Sequence, residues 1–211
     1  ALVVTSEHMR QSILDRHPGL RSKVSLVPNH VLGRVFSEKH LSQPKAYDLA
    51  YVGHLGPRNN VRPMLLAAAH KGLNALVLGQ GPLLRELQDE FGHMTRFAGI
   101  RAHAELPALL GQARMFVMPS LHEGCPKPLL EAMRLGMPVI GADSPGIREI
   151  VDHEVTGLLC TPDRDNLGQQ MQTILSQKAL ADTMARQARS IAARFELNFV
   201  VQKELEVYEQ I

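Results

Sequence analysis

The chain predicts a doubly wound parallel α/β sheet of the Rossmann-like type, and three features carry that expectation. Short apolar runs alternate with helical stretches over most of the 211 residues, and repeated strand-loop-helix units imply a parallel sheet with helices on both faces. The runs AYVG (50–53), ALVLG (75–79) and MFVMP (115–119) are apolar throughout, as strands buried on both faces should be. Glycine-rich segments gather just behind these runs, where open parallel sheets place their ligands.

Taken in order, Leu2–Thr5 reads as a strand, followed by a helix that Ser6 can cap, a Pro18-Gly19 stop and a second strand at Val24–Val27 ending in Pro28-Asn29. His30 to Lys45 has no clear periodicity and reads as a linker or long loop. Strands are then expected at Leu49–Val52, Ala75–Leu78, Thr95–Ala98, Met115–Met118, Val139–Ala142 and Leu158–Cys160, each followed by a loop and a helix. Helices from about Asn166 to Ser176, Ala179 to Arg194 and Leu197 to Gln210 follow the last strand. The last of these carries Phe199, Val200, Leu205, Val207 and Tyr208, more apolar surface than covering one sheet requires. Neither internal repeats nor low-complexity segments interrupt the pattern.

A hydrophobic share of 45% supplies one sizeable core. The 23 basic and 21 acidic residues are dispersed, so the net charge of +2 marks no polycationic surface and no nucleic-acid partner is expected. Cys125 and Cys160 lie far apart with no CxxC, which points to a reducing compartment and a cytoplasmic protein. No apolar run approaches the roughly 18 residues of a membrane span. Ala1 opens directly into a strand-like run, so no signal peptide is expected. Peripheral association with the inner face of the membrane, through some other part, stays open.

The segment PSLHEGCPKPLLEAMRLGMPVIGAD, from Pro119 to Asp143, carries the chemistry. Glu123 falls in a loop after a strand, Gly124 to Pro128 form a kinked bridge, and Glu131 falls in the first turn of a helix for which Pro128 is a good starter. A helix N-terminus offers unpaired N–H groups and partial positive charge, which suits a diphosphate. A carboxylate on each side suits hydroxyl donors of a sugar and a ribose. The plainer alternative makes Glu123 a solvated loop residue and Glu131 a carboxylate favoured by the helix dipole.

The whole segment resembles glycosyltransferase family 4, retaining enzymes of GT-B fold whose E-x7-E motif takes the form EGFG-x-x-x-x-EAM-x-x-G-x-PV. Gly124, Ala132, Met133, Gly136, Pro138 and Val139 match as well. The resemblance continues through LVLGQGPLLRELQ, ELPALLGQARMFVMPS and SPGIREIVDHEVTGLLCTP. It implies that residues 1–30 are the end of an N-terminal acceptor domain with a crossing segment, residues 31–195 a donor-binding domain, and residues 196–211 a C-terminal crossing helix. The rest of the acceptor domain would then be a missing partner. The implied reaction moves a sugar from a nucleoside-diphosphate sugar, the donor substrate, to a glycan, lipid-linked or other acceptor. No other cofactor and no metal is implied. By resemblance Glu123 is the catalytic residue at the donor sugar and Glu131 accepts from the ribose. Gly124, Cys125, Pro126, Lys127 and Leu129 approach sugar and phosphates, and Gly99, Ile100 and Arg101 read the base. A non-catalytic sugar-nucleotide-binding subunit and a sugar-nucleotide epimerase are the alternatives.

Departures from the family concentrate in the first loop of the donor domain. The family form VGRL-x-x-x-KG is VGHLGPRNN here, so beyond Gly53, His54 stands for the Arg and Asn59 for the Lys that clamp the diphosphate. Arg58 or Arg62 can substitute from neighbouring positions, or His54 itself can carry charge beside a phosphate. Cys125-Pro126 replaces Phe-Gly, with Cys125 either a packing residue or a thiol at a helix start. The GQGP turn (79–82) lacks the full GxGxxG and reads equally as a tight strand-helix turn. Asp163-Arg164-Asp165 has the form of a DxD metal motif, but turn and N-cap work explains both carboxylates. His122 and His30 are further candidates near the motif and the interdomain cleft. The 211 residues alone are expected to bind donor nucleotide weakly and to transfer no sugar.

Overall fold

The computed structural model describes residues 1–209. Its main body is a six-stranded, wholly parallel sheet formed by β3 (Tyr47–Val52), β4 (Ala75–Leu78), β5 (Thr95–Gly99), β6 (Ala113–Met118), β7 (Val139–Ala142) and β8 (Leu158–Cys160). The spatial order is β5-β4-β3-β6-β7-β8, so strand order reverses between the central neighbours β3 and β6. In such a sheet the crevice at the carboxyl ends beside the reversal is the ligand position.

Helices α2 (Val61–His70), α3 (Leu84–Phe91), α4 (Leu106–Leu110), α5 (Lys127–Leu135), α6 (Pro145–Arg148), α7 (Arg164–Ser176) and α8 (Lys178–Ala192) connect or follow the strands. Leu49, Ala50, Tyr51, Leu76, Val77, Met115, Phe116, Val117 and Ile140 are all fully buried, which is the two-sided burial read from the apolar runs. Gly136 ends α5 in a left-handed conformation with φ +92, a position that favours glycine because it has no Cβ. The expected doubly wound sheet is present, with strand ends shifted by one or two residues.

A second, two-stranded parallel sheet joins β1 (Leu2–Val4) to β2 (Val24–Leu26) across α1 (Glu7–Arg16). Ser6 caps α1 by accepting from the Met9 amide at 3.3 Å. Val4, Leu14 and Val24 form a small core of their own. The stretch 30–45 is more firmly held than a linker would be. Val31 bridges to Glu196, and Val31 and Phe36 are fully buried in the main core. Two large apolar side chains anchor a segment too aperiodic to announce itself.

The final helix, α9 (Leu197–Tyr208), buries Val200 and Val207 against Val27 and leaves Phe199 and Tyr208 each 62% exposed. The expected end at Gln210 lies outside the described residues. The preceding helix runs Lys178–Ala192 rather than to Arg194, where a short 3-10 turn takes over. No described helix is long and apolar enough to cross a membrane.

Candidate active site

Two hollows open at the carboxyl ends of the strands and share Val52, Gly53 and His54. One, of about 270 Å³, is lined from β3, β4 and β5 and includes Gly79, Gly99, Ile100, Arg101 and Leu106. The other, of about 260 Å³, spans the β3–β6 reversal and includes Asn29, Tyr51, Asn59, Met118, Glu123 and the bridge Cys125 to Pro128. A larger hollow of about 490 Å³ lies among Lys45, Ala113, Gly136, Pro138 and Lys178, near the amino ends of β6 and β7. It takes in Gly136 and Pro138 from the far end of the motif segment but neither Glu123 nor Glu131, and it lies away from the carboxyl ends where such sheets place their ligands.

The first hollow is made largely by backbone. A Cβ on Gly79 would overlap the Gly53 carbonyl, and one on Gly81 would overlap the backbone of Leu55. The GQGP turn therefore packs the β4 loop onto the β3 loop. Gly99 turns the chain with φ +67, Arg101 Nε donates to the Ala98 carbonyl at 2.8 Å, and Ile100 stands 66% exposed.

The second hollow carries the Glu123 carboxylate. Burial raises its pKa, while a hydrogen bond from Ser120 pulls it back. The buried Tyr51 phenol donates to the His54 carbonyl at 3.0 Å and is itself raised by burial, with the Glu123 charge adding to the effect. Three outside segments hold the Glu123 loop. Asn29 Nδ2 donates to the Cys125 carbonyl at 2.5 Å. Gly146 of α6 lies so close under the Glu123 and Gly124 carbonyls that a Cβ would overlap both. Thr5 and Met9 of the N-terminal unit stand so close to Gly124 that a Cβ there would meet both side chains. That unit is tied down by Glu149, whose carboxylate accepts from the Glu7 and His8 amides at 2.8 and 2.7 Å and so caps α1.

Helix α5 begins at Lys127, with Pro128 in its first turn, so Glu131 lies in the second turn rather than the first. The X-Pro restriction acts on Lys127 but does not prevent it from being the first helical residue. Glu131 lines neither hollow: it is 3% exposed. His103 Nε2 lies 2.6 Å from its Oε1, and the ring of His103 packs on Phe36 with centroids 5.2 Å apart. Burial raises the Glu131 pKa, and the His103 hydrogen bond opposes that shift.

Among the expected cations, Arg62 is committed elsewhere, to Glu86 and Glu90 at 2.7 Å each. Arg58 is exposed, and its carbonyl accepts from the Leu121 amide at 3.0 Å, which ties the β3 loop to the motif loop. Lys127 joins the lining at the start of α5. His54 is exposed and lines both hollows, whereas Leu129, expected to approach the sugar and phosphates, is fully buried and lines neither, because it faces the core from the first turn of α5. Cys125 is 5% exposed and its thiol is pushed up to about 11 by burial, which makes it a packing residue rather than a reactive thiol. Asp163 caps α7 by accepting from the Asp165 and Asn166 amides at 3.0 and 2.9 Å. His122 is exposed, and His30 is half-buried with a pKa lowered chiefly by that burial.

His103, Gly146, Glu149 and Asn29 were not singled out by sequence. His103 meets its partner across 28 positions and Glu149 across about 140, so no local spacing signals either contact.

Comparison with known proteins agrees with this architecture. The family described as glycosyl transferases group 1 matches residues 34–191. The chain is 31% identical over 173 residues to glycogen synthase of Mycobacterium tuberculosis, covering 76% of this chain and 42% of that one. It is 33% identical over 115 residues to a GDP-mannose-dependent alpha-mannosyltransferase of Mycolicibacterium smegmatis, covering 54% and 30%. Among solved structures, sucrose-phosphate synthase of Thermosynechococcus elongatus superposes with a TM-score of 0.85 at 25% identity, over 99% of this chain and 57% of that one. Anabaena HepE in complex with UDP superposes equally well, TM-score 0.85, at 21% identity over 99% and 63%, a likeness of fold. The chain thus spans less than two thirds of the length of each of these proteins. It is a member of the glycosyl transferases group 1 family.

Proposed function

We propose that the chain is the donor-binding part of a retaining glycosyltransferase of family 4, taking a nucleoside-diphosphate sugar and passing the sugar to a glycan, lipid-linked or other acceptor. One observation carries this reading. Glu123 and Glu131 flank a single loop-to-helix junction whose bridge lines a hollow at the β3–β6 reversal. The base would lie towards Gly99, Ile100 and Arg101, and the diphosphate near Gly53, His54 and the start of α5. The sugar would lie by Glu123. As the bond from the anomeric carbon to the diphosphate breaks, charge builds on the leaving oxygen, and fixed donors and cations there stabilise it. That oxygen takes the proton of the acceptor hydroxyl, whose oxygen bonds to the anomeric carbon on the same face. In this reading the acceptor wall comes from a further N-terminal domain, no resident cofactor or metal takes part, and the 211 residues alone transfer no sugar.

Calorimetry with a panel of nucleoside diphosphates tests the assignment. Glu131→Ala should weaken binding by about 1 to 3 kcal/mol, the range for losing hydrogen bonds to a charged group, and unchanged affinity removes Glu131 from the site. Glu123→Gln should leave that affinity nearly intact yet lower transfer in protein that also contains the acceptor domain. A parallel fall in both would undo the division of roles.

A second reading, a non-catalytic sugar-nucleotide-binding subunit, draws on His54 and Asn59 and on the engagement of Arg62 with two glutamates. Lys127 lines the hollow near the start of α5, and Arg58 stands exposed in the neighbouring β3 loop. Retained nucleotide binding with neither transfer nor donor hydrolysis would favour this reading.

A further inference from the structure

The Glu131 carboxylate raises a difficulty for any ligand that is to use it. A buried carboxylate needs a hydrogen-bond donor, and His103 Nε2 supplies one at 2.6 Å. With Glu131 ionised its oxygens only accept, so the proton of this bond belongs to Nε2. The carboxylate is 3% exposed and reaches neither hollow, whereas the His103 side chain is 39% exposed and rests on Phe36, whose own position is fixed in the core. The movable partner is therefore the histidine, which belongs to the short 3-10 turn His103–Glu105 between β5 and α4.

Resting on the nucleotide-site reading above, we propose that His103 is a stand-in donor: it satisfies Glu131 while the site is empty and is displaced when a ribose hydroxyl takes its place on the carboxylate. The exchange trades one hydrogen bond to a charged acceptor for another, so part of what the ribose would contribute is spent in releasing the histidine. A ligand without ribose hydroxyls has nothing to offer Glu131 and leaves the pair intact. His103 acts through Glu131, and its effect is to make the site cost more to enter and to tie the change at Glu131 to the ribose.

Titration of UDP and of 2′,3′-dideoxyuridine diphosphate into the wild-type chain and into His103→Ala, followed by calorimetry, tests this. Removing the competitor should tighten UDP by roughly tenfold, about 1.4 kcal/mol, and leave the dideoxy ligand unchanged. Nitrogen NMR of the wild-type imidazole adds an independent readout. UDP should shift the His103 Nε2 resonance away from its carboxylate-bonded position, and the dideoxy ligand should not. If His103→Ala binds UDP more weakly or equally, or if the resonance stays put on saturation with UDP, the stand-in role is overturned while the nucleotide site stands. If wild type binds neither UDP nor GDP, the nucleotide-site reading fails and takes the proposal with it. Should His103→Ala unfold, His103→Asn replaces it, with the same expected direction and the same overturning result.

Discussion

The two hollows that flank β3 are built by different means. The hollow lined from β3, β4 and β5 is made from consecutive strand-end turns of one sheet, with Gly79 and Gly81 letting two loops touch through their backbones. The hollow at the β3–β6 reversal is assembled by convergence: Asn29 from the segment after β2, Gly146 from α6, and Thr5 and Met9 from the N-terminal unit all press on the loop from Glu123 to Cys125. The first is local in sequence and rigid by contact of backbones. The second depends on the N-terminal unit staying docked, which the Glu149 cap on α1 secures.

That difference can be broken from either side. Gly79→Val should have the largest effect, because φ of +137 suits no L side chain and the new Cβ would overlap the Gly53 carbonyl. A loss of at least about 2 kcal/mol in urea unfolding is expected, and unchanged stability would mean that the two loops are not in contact. Gly146→Ala should cost less stability, about 1 kcal/mol, but should displace the Glu123 loop. On the proposed function, sugar transfer should then drop about 100-fold, as misplacement of a reacting group by an ångström does, with nucleotide affinity nearly kept. Equal losses of affinity and transfer would show that the hollows are not independently built.

The smallest effect sharpens the comparison through pH. Burial raises the pKa values of both Glu123 and Glu131 above 4.5, so the folded chain keeps these protons to a higher pH than the unfolded chain does. Their contribution to stability is therefore unopposed below about pH 4.5 and declines as pH rises through the raised values. A Glu123→Gln, Glu131→Gln double variant should be more stable than wild type near pH 7, with the advantage shrinking towards pH 4.5. An advantage that grows on acidification would reverse the assigned direction of both shifts.

Much of this molecule was legible in sequence because its information is local. Six apolar runs located the strands of the main sheet to within a residue or two, since a strand buried on both faces can be nothing but apolar. The motif loop was singled out by the resemblance of the whole Pro119–Asp143 segment to a family motif, and the Asp163 cap by its place between a turn and a helix. Failures arose where chain neighbours were uninformative. Residues 30–45 looked structureless because Val31 and Phe36 anchor a segment with no period. Placing Glu131 one turn too early followed from reading Pro128 as the first helical residue, when Lys127 holds that position. The His103 contact depends on a fold that brings two helix-start regions together, and no periodicity encodes it.

Val52, Gly53 and His54 form a wall common to both hollows. A single strand end that bounds two compartments predicts that their occupancies are linked: a shift of the β3 loop induced by one ligand fragment would already be made when the second arrives. Uridine and a sugar phosphate, offered as separate fragments, should therefore bind with non-additive free energies, and by reciprocity each should alter the affinity of the other by the same factor. Strictly additive binding of the two would mean that the loop does not move.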